Sequence, residues 1–188
     1  KATLHNLSII EGLELGIGDT ITVYRSNMVI PKIDDNLTRS NTLVIPDTCP
    51  CCGYTAEIKY TDSSKFLMCT NPDCSSKLLA KLTHFVSRNC MNIEGLSEAT
   101  LETLINKGWV KSFKDIYYLY THGREWEQLD GFGERSVAKI LDAIDRSRKV
   151  KLENFICALS IEGIGSSASK TISNHFNGDF EAFFEALT

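Results

Sequence analysis

Cys49-Pro50-Cys51-Cys52-Gly53 and Cys69-Thr70-Asn71-Pro72-Asp73-Cys74 decide the reading of this chain. Taken as Cys49-x2-Cys52, sixteen residues, then Cys69-x4-Cys74, they supply four thiols in two close pairs. A tetrahedral Zn²⁺ needs that arrangement: each pair makes one edge of the tetrahedron, and the loop between them brings the edges together. Gly53 and Asn71-Pro72 are turn residues beside the pairs, where the backbone bends to aim the sulfurs inward. Four thiolates leave no open position for water, so the predicted site is structural rather than catalytic. The competing reading is a disulfide pair or buried free cysteines. Cys51 stands as an alternative to one of its neighbours, although Cys49 and Cys52 have the usual knuckle spacing. Cys90 and Cys157 sit in apolar helical patterns and read as buried thiols.

The chain has 188 residues, is 43% hydrophobic and carries a net charge of −4. The apolar content is enough for real cores. The bulk charge gives no support for nucleic-acid binding, so any such reading rests on local charge. No run approaches membrane-spanning length, which excludes a helical membrane span, and nothing at Lys1 resembles a signal peptide. Seven cysteines without a secretory signal point to a reducing compartment, with thiols held by metal rather than oxidised.

Upstream of the cysteines, Lys1-Ala2-Thr3-Leu4-His5-Asn6 reads like the interior of a longer chain. Gly16-Ile17-Gly18-Asp19 is a turn. Thr20-Ile21-Thr22-Val23-Tyr24 alternates and is β-branched, which predicts a strand. Val29-Ile30-Pro31 predicts a second short strand that stops at proline. About three strands in under fifty residues make a partial β-module, with an unpaired edge. Between the cysteine pairs, Glu57-Ile58-Lys59-Tyr60 and Phe66-Leu67-Met68 are strand-like. A module this small buries little core, so metal binding, worth about 10–16 kcal/mol in comparable peptides, would supply its folding energy.

Ser75 to Asn89 predicts a helix with Leu78, Leu79, Leu82, Phe85 and Val86 on its apolar side. Lys77, Lys81, His84 and Arg88 fall at i, i+4, i+7 and i+11 and form a second, basic face. No acid occurs from Ser75 to Ile93, which favours phosphate contact over a merely solvated face. Farther on, three segments look alike. Ile93-Glu94-Gly95-Leu96-Ser97, Leu129-Asp130-Gly131-Phe132-Gly133 and Ile161-Glu162-Gly163-Ile164-Gly165 each precede an amphipathic helix. Helices also precede two of them, one opened by a Ser112-x-x-Asp115 capping box and one carrying Leu152, Phe155, Ile156 and Leu159.

This is the helix-hairpin-helix pattern. The apolar residue between the glycines plugs the gap between two helices. The glycines at 95, 131, 133, 163 and 165 allow a tight turn, and the N–H groups at the start of the second helix meet a phosphate oxygen. Such contact holds the nucleic-acid backbone without reading sequence, and it lets an acidic protein bind DNA. Ser97 replaces the second glycine in the first unit. Asp179 to Thr188 reads as the first helix of a fourth unit, cut off.

At this point the chain resembles the bacterial NAD⁺-dependent DNA ligases. The resemblance is carried by Ala2-Thr3-Leu4-His5-Asn6, Ile17-Gly18-Asp19-Thr20, Val29-Ile30-Pro31, the two cysteine pairs, His84-Phe85-Val86-Ser87-Arg88 and Gly131-Phe132-Gly133-Glu134-x-Ser136. It covers essentially the whole chain, in the family's order. The implied fold is multi-module α+β: a partial OB-fold over 1–47, a four-cysteine zinc finger over 48–76 and an all-α helix-hairpin-helix domain over 77–188. The resemblance implies that Arg25, Val29 and Ile30 sit on DNA near a nick, that Arg88 touches phosphate after the zinc finger, and that Cys49, Cys52, Cys69 and Cys74 hold Zn²⁺. Ser26-Asn27-Met28 stands where the family usually has Ala-Gly-Asp.

The family's enzymes seal nicks between 3′-hydroxyl and 5′-phosphate ends in duplex DNA, in replication and repair in the bacterial cytoplasm at the nucleoid, using NAD⁺ and Mg²⁺. The chemistry is not expected here. Adenylation needs Lys-x-Asp-Gly, and the only Asp-Gly is Asp130-Gly131, with Gln128 at the lysine position. No Ser/His/Asp set, paired catalytic carboxylates or nucleotide-binding glycine loop stands out, so no catalytic or cofactor-binding residue is assigned. The NAD⁺ site would lie upstream and a BRCT module downstream. The expected function is a DNA-gripping fragment, inactive alone, whose partner is nicked duplex DNA. The alternatives are a stand-alone zinc and helix-hairpin-helix repair scaffold, and a zinc-stabilised protein-interaction module.

Overall fold

The computed structural model describes residues 2–26, 30–61 and 64–187, with Ile30 described in its backbone alone. The chain divides into two compact units, Lys1–Cys74 and Ser75–Thr188.

The first unit holds two antiparallel ribbons. It starts with a short helix that the sequence reading missed, α1 (Leu7–Gly12), capped by Asn6, whose Oδ1 accepts the Ile9 N–H at 3.1 Å. Asn before an apolar run is the signal that was available. Strand β1 (Ile21–Ser26) pairs with β2 (Ile30–Asn36) from Ile21↔Asn36 to Ser26↔Ile30, with one register shift between Thr22 and Val23. Strand β2 does not stop at proline, as expected, but runs through Pro31, which pairs with Arg25. In a two-stranded ribbon both strands are edges, so a residue without an N–H is tolerated on the outward side. Strands β3 (Ala56–Tyr60) and β4 (Lys65–Cys69) form the second ribbon where strand-like residues were expected. Helix α1 lies against β4: the Lys65 N–H donates to Ser8 Oγ at 2.9 Å, and Lys65 Nζ meets Glu11 Oε2 at 2.6 Å.

Apolar burial is sparse in this unit. Among its described residues only Leu7, Leu15 and Cys74 are buried hydrophobics. Polar contacts gather around Asn36, which is fully buried. Its Nδ2 donates to the Leu13 carbonyl at 2.9 Å, the Glu14 carbonyl at 3.2 Å and Asp19 Oδ2 at 2.7 Å. The same Asp19 oxygen accepts the Gly16 N–H at 2.7 Å. The Ser40 hydroxyl, then the Asn36 amide and the N–H groups of Gly16 and Ser40, hold the Asp19 carboxyl below the usual carboxylate range. A lowered folded-state value stabilises above the ordinary carboxylate value of about 4 and fades as pH falls through the folded-state value. Asn36→Leu keeps the branched outline of the side chain, at a larger volume, but leaves two carbonyls and a carboxylate short of a donor. We expect it to destabilise the first unit by about 1–3 kcal/mol, read as a lower denaturant midpoint.

The second unit is helical. Its elements are α2 (Ser75–Val86), α3 (Glu98–Asn106), α4 (Phe113–Ile116), a 3-10 turn (Leu119–His122), α5 (Gly123–Trp126), α6 (Glu134–Ser147), α7 (Leu152–Ala158), α8 (Ser166–His175) and α9 (Phe180–Glu185). Leu82, Leu101, Leu104, Val110, Ile116, Leu119 and Trp126 are completely buried and define the main core. Helix α6 shows why the pattern works: Val137, Ile140 and Ile144, at i, i+3 and i+7, are all buried. A smaller core joins Leu152 and Ile156 of α7 to Phe183 of α9, with Ile164 and Ile172 packed on it.

Two expectations need correction. Helix α2 ends at Val86 rather than Asn89. The Cys90 and Asn92 N–H groups turn back to the Ser87 carbonyl at 3.0 and 2.9 Å, and Asn92 sits at φ +50°, so the chain leaves the helix there. The helix expected behind Ser112 is broken into short pieces. Asp115 reaches back to the Lys111 N–H at 2.9 Å and the Ser112 hydroxyl at 3.0 Å, but Ser112 makes no side-chain cap bond in return. Among the described residues, no helix is long and apolar enough to cross a membrane.

Candidate metal centre and nucleic-acid interface

In the first unit the sulfurs of Cys49, Cys52, Cys69 and Cys74 converge, all within 4.8 Å of one another. Cys49 Sγ lies 4.0 Å from Cys74 Sγ, and Cys52 Sγ lies 3.5 Å from Cys69 Sγ. Sulfurs bound tetrahedrally to a zinc-sized ion would stand about 3.8 Å apart, so the four could hold one metal ion. Cys51 is exposed and outside the cluster, and it is Cys49 and Cys52 whose sulfurs join Cys69 and Cys74.

The local sequence builds the site. Gly53, at φ +72°, turns the chain so that its N–H donates to the Cys49 carbonyl at 2.9 Å, while the Cys49 N–H donates to the Tyr54 carbonyl at 2.7 Å. Strand β4 delivers Cys69 at its last residue, and the Asn71 side chain accepts the Asp73 N–H at 2.9 Å to bend the chain toward Cys74. The Cys52 and Cys51 N–H groups lower the Cys49 thiol to about 7. Burial, together with the neighbouring thiols, pushes Cys69 up to about 12. One sulfur is thus ready to be a thiolate, and another resists a second negative charge in the same small volume. A divalent cation removes that conflict, so the donor chemistry fits a metal. Binding displaces thiol protons, so affinity falls as pH falls.

In the second unit the three glycine turns share one geometry. Gly95, Gly131 and Gly163 have φ of +92°, +81° and +79°. Two positions later, Ser97, Gly133 and Gly165 are the N-caps of α3, α6 and α8. Between them, Leu96 is buried, and Phe132 and Ile164 are partly buried against the cores. Gly95, Gly131, Gly163 and Gly165 are exposed and Gly133 is half-buried, so the corners lie at the surface of this unit. The turns differ in detail. The Ser97 hydroxyl accepts the Thr100 N–H at 3.2 Å, so it uses an amide at the start of α3. The Gly133 N–H donates to Ser136 Oγ at 2.9 Å. At Gly95 an added Cβ would come within 2.7 Å of Ile140 Cγ1, so this glycine also serves the close approach of its turn to α6.

The basic residues are distributed otherwise than expected. Lys77, Lys81 and His84 lie on α2, with Lys77 half-buried and the other two exposed. Arg88 is exposed in the turn beyond the helix, not on the same face. His84 Nε2 lies 2.9 Å from the Cys157 carbonyl. Arg88 instead lines an open cleft of about 410 Å³ with Glu153, Asn154, Cys157, Ser166 and Lys170. That cleft brings Arg88 to the first turn of α8, where backbone N–H groups point out of the helix. Lys170 was missed by the sequence reading; it lies one turn beyond Ser166 on α8, a spacing that could have marked it. In the first unit, Arg25 is exposed on β1 and Ile30 begins β2, while Val29 lies outside the described residues.

No protein-family model matches the chain. Curated relatives do. A DNA ligase of Lachnoclostridium phytofermentans is 49% identical over 96% of this chain and 28% of its own length. A DNA ligase of Ruminiclostridium cellulolyticum is 46% identical over 96% of the chain and 27% of its length. One from Pediococcus pentosaceus is 37% identical over 94% of the chain and 26% of its length. The chain spans about a quarter of the length of these relatives. It is a homologue of one region of the bacterial DNA ligases.

Proposed function

We propose that this chain is the DNA-gripping region of an NAD⁺-dependent DNA ligase, holding the backbone of nicked duplex DNA without sequence preference. The observation that carries the reading is the repeated corner: three exposed glycines of positive φ, each two residues ahead of a helix N-cap. Phosphate is the ligand such corners suit, because amides and the helix dipole favour an anion without needing basic side chains. The relatives' name supports the same substrate. On this reading residues 1–47 are part of an OB-fold, with Arg25, Val29 and Ile30 as its DNA-contacting positions. Residues 48–76 are a zinc finger, with structural Zn²⁺ on Cys49, Cys52, Cys69 and Cys74. Residues 77–188 are a helix-hairpin-helix domain, with α9 as the first helix of a fourth unit. Bound Zn²⁺ fixes the two cysteine turns against each other and takes no part in the joining. Lys77, Lys81, Arg88 and the turns at Gly95, Gly131, Gly133, Gly163 and Gly165 supply the phosphate contacts.

No Lys-x-Asp-Gly is present, so the chain by itself forms no adenylate with NAD⁺ and seals no nick. The NAD⁺ and Mg²⁺ chemistry belongs to the rest of the enzyme, in the bacterial cytoplasm. A stand-alone repair scaffold is not favoured, because the likeness to ligases runs through the first unit as well as the helical one. The test is fluorescence anisotropy with labelled nicked and intact duplexes of unrelated sequence. Weak binding is expected, the same for each sequence. If about four phosphates are neutralised, log K should fall against log salt with a slope of roughly −3 to −4. No binding at low salt would leave a protein-interaction module as the better reading.

A further inference from the structure

We propose that His84, Cys90 and Cys157 form a second metal site, built for a thiophilic divalent cation of the Zn²⁺ class. The three come from separate places: the end of α2, the turn that follows it, and the last turn of α7. Their spacing in sequence gives no motif. In the fold their donor atoms lie within 4.8 Å of one another. Cys90 Sγ stands 3.7 Å from Cys157 Sγ and 3.5 Å from His84 Nε2. Zinc bond lengths at tetrahedral angles require about 3.8 Å between sulfurs and about 3.6 Å between sulfur and nitrogen. Both separations from Cys90 Sγ therefore match those an ion would impose, and the remaining pair lies within 4.8 Å.

The surroundings favour the same conclusion. The Cys157 carbonyl oxygen lies 2.9 Å from His84 Nε2, a hydrogen bond that metal binding would exchange for the ion. With Nε2 protonated, the contact is one hydrogen bond and the thiols are bystanders. With the proton moved to Nδ1, the Nε2 lone pair is free beside the Cys90 sulfur at 3.5 Å, and a divalent ion can take it together with both sulfurs. Two thiol protons leave, two thiolates cancel the charge of the ion, and no net charge is buried. Both sulfurs are buried while His84 is exposed, and the cleft at Arg88 and Lys170 reaches Cys157. The site is closed on the sulfur side and reachable from solvent.

The site would join two elements that Asn154 already links, since its Nδ2 donates to the Asn89 carbonyl at 2.9 Å. Cys157 lies three residues before Ser160, which sits at φ +54° and opens the third glycine corner. An ion here would fix that corner to the end of α2. The proposal does not depend on DNA binding.

The 188-residue chain, stripped by chelator under reducing conditions, is titrated with Co²⁺ and read by absorption. Two equivalents are expected, the second with about half the sulfur-to-metal charge-transfer intensity of the first, as two thiolates against four imply. His84→Gln changes an exposed residue and should keep the fold; it should weaken the second equivalent at least tenfold and leave the four-sulfur spectrum intact. Cys90→Ser should abolish the second equivalent. Saturating Zn²⁺ should also slow alkylation of Cys157, and His84→Gln should remove that protection. A single equivalent in the unaltered chain would overturn the proposal. So would a Cys90–Cys157 disulfide that forms in air as fast with Zn²⁺ as without it, because the pair would then be a redox couple.

Discussion

Cys69→Ser is expected to release the ion of the four-cysteine site and to unravel the segment from Asp47 to Cys74, while the helical signal of Ser75–Thr188 remains. Ribbon β3–β4 has little else to hold it. Ile58, Tyr60, Phe66 and Met68 are all exposed, and Cys74 is the buried residue at its end. The rest is backbone pairing, from Ala56↔Cys69 to Tyr60↔Lys65, and the polar contacts of Lys65 with Ser8 and Glu11 of α1, and a two-stranded ribbon with so little apolar burial is at best marginal in water. A serine hydroxyl at that point neither ionises at neutral pH nor offers a soft donor. The lost coupling is of the order of 10–16 kcal/mol of apparent binding in comparable peptides, more than a small module has in reserve. Metal content by mass spectrometry should drop by one equivalent per chain, and amide signals of the ribbon should collapse to unfolded positions. Full retention of that equivalent would show that the four sulfurs are not the ligand set.

Gly131→Val and Gly163→Val together carry the second large effect, on affinity rather than on folding. Both glycines have open space where a Cβ would go, so nothing is displaced. The cost is conformational: φ of +81° and +79° suits glycine and strains a β-branched residue, by about 1–2 kcal/mol each. The helices should survive that, with circular dichroism nearly unchanged. Relieving the strain displaces the amides at the helix starts, and the methyl groups stand where a phosphate would approach. A loss of duplex affinity of about tenfold or more is expected, equal for every sequence. Gly95→Ala is the informative contrast, because its Cβ would strike Ile140 and lower stability. Unchanged affinity in the double variant would reduce the corners to structural turns.

Local rules read most of the helical unit correctly from sequence. The stripe of α6 and the glycine turns ahead of α3, α6 and α8 depend on neighbours within a few residues. The convergence of the four cysteines was legible because two pairs at this spacing admit few arrangements. Errors arose where tertiary contacts compete with local preference. Arg88 continues a 3.6-residue pattern, yet Ser87 and Asn92 end α2 before it is reached. Pro31 looks like a stop, yet it sits in a ribbon that exposes both edges. The Asn36 hub links residues 13, 14, 19 and 36 through side-chain contacts that no periodicity encodes. The meeting of His84, Cys90 and Cys157 is of the same kind: residue types visible in sequence, brought together by two helices that pack.

The scarcity of buried hydrocarbon in Lys1–Cys74 has a calorimetric consequence. Heat-capacity increments on unfolding follow newly wetted apolar surface, so nearly all of the increment should come from Ser75–Thr188. The first unit would show an almost flat enthalpy against temperature and no cold-side weakening. Its melting point would respond instead to the concentration of free ion in the buffer, as ligand-linked stability requires.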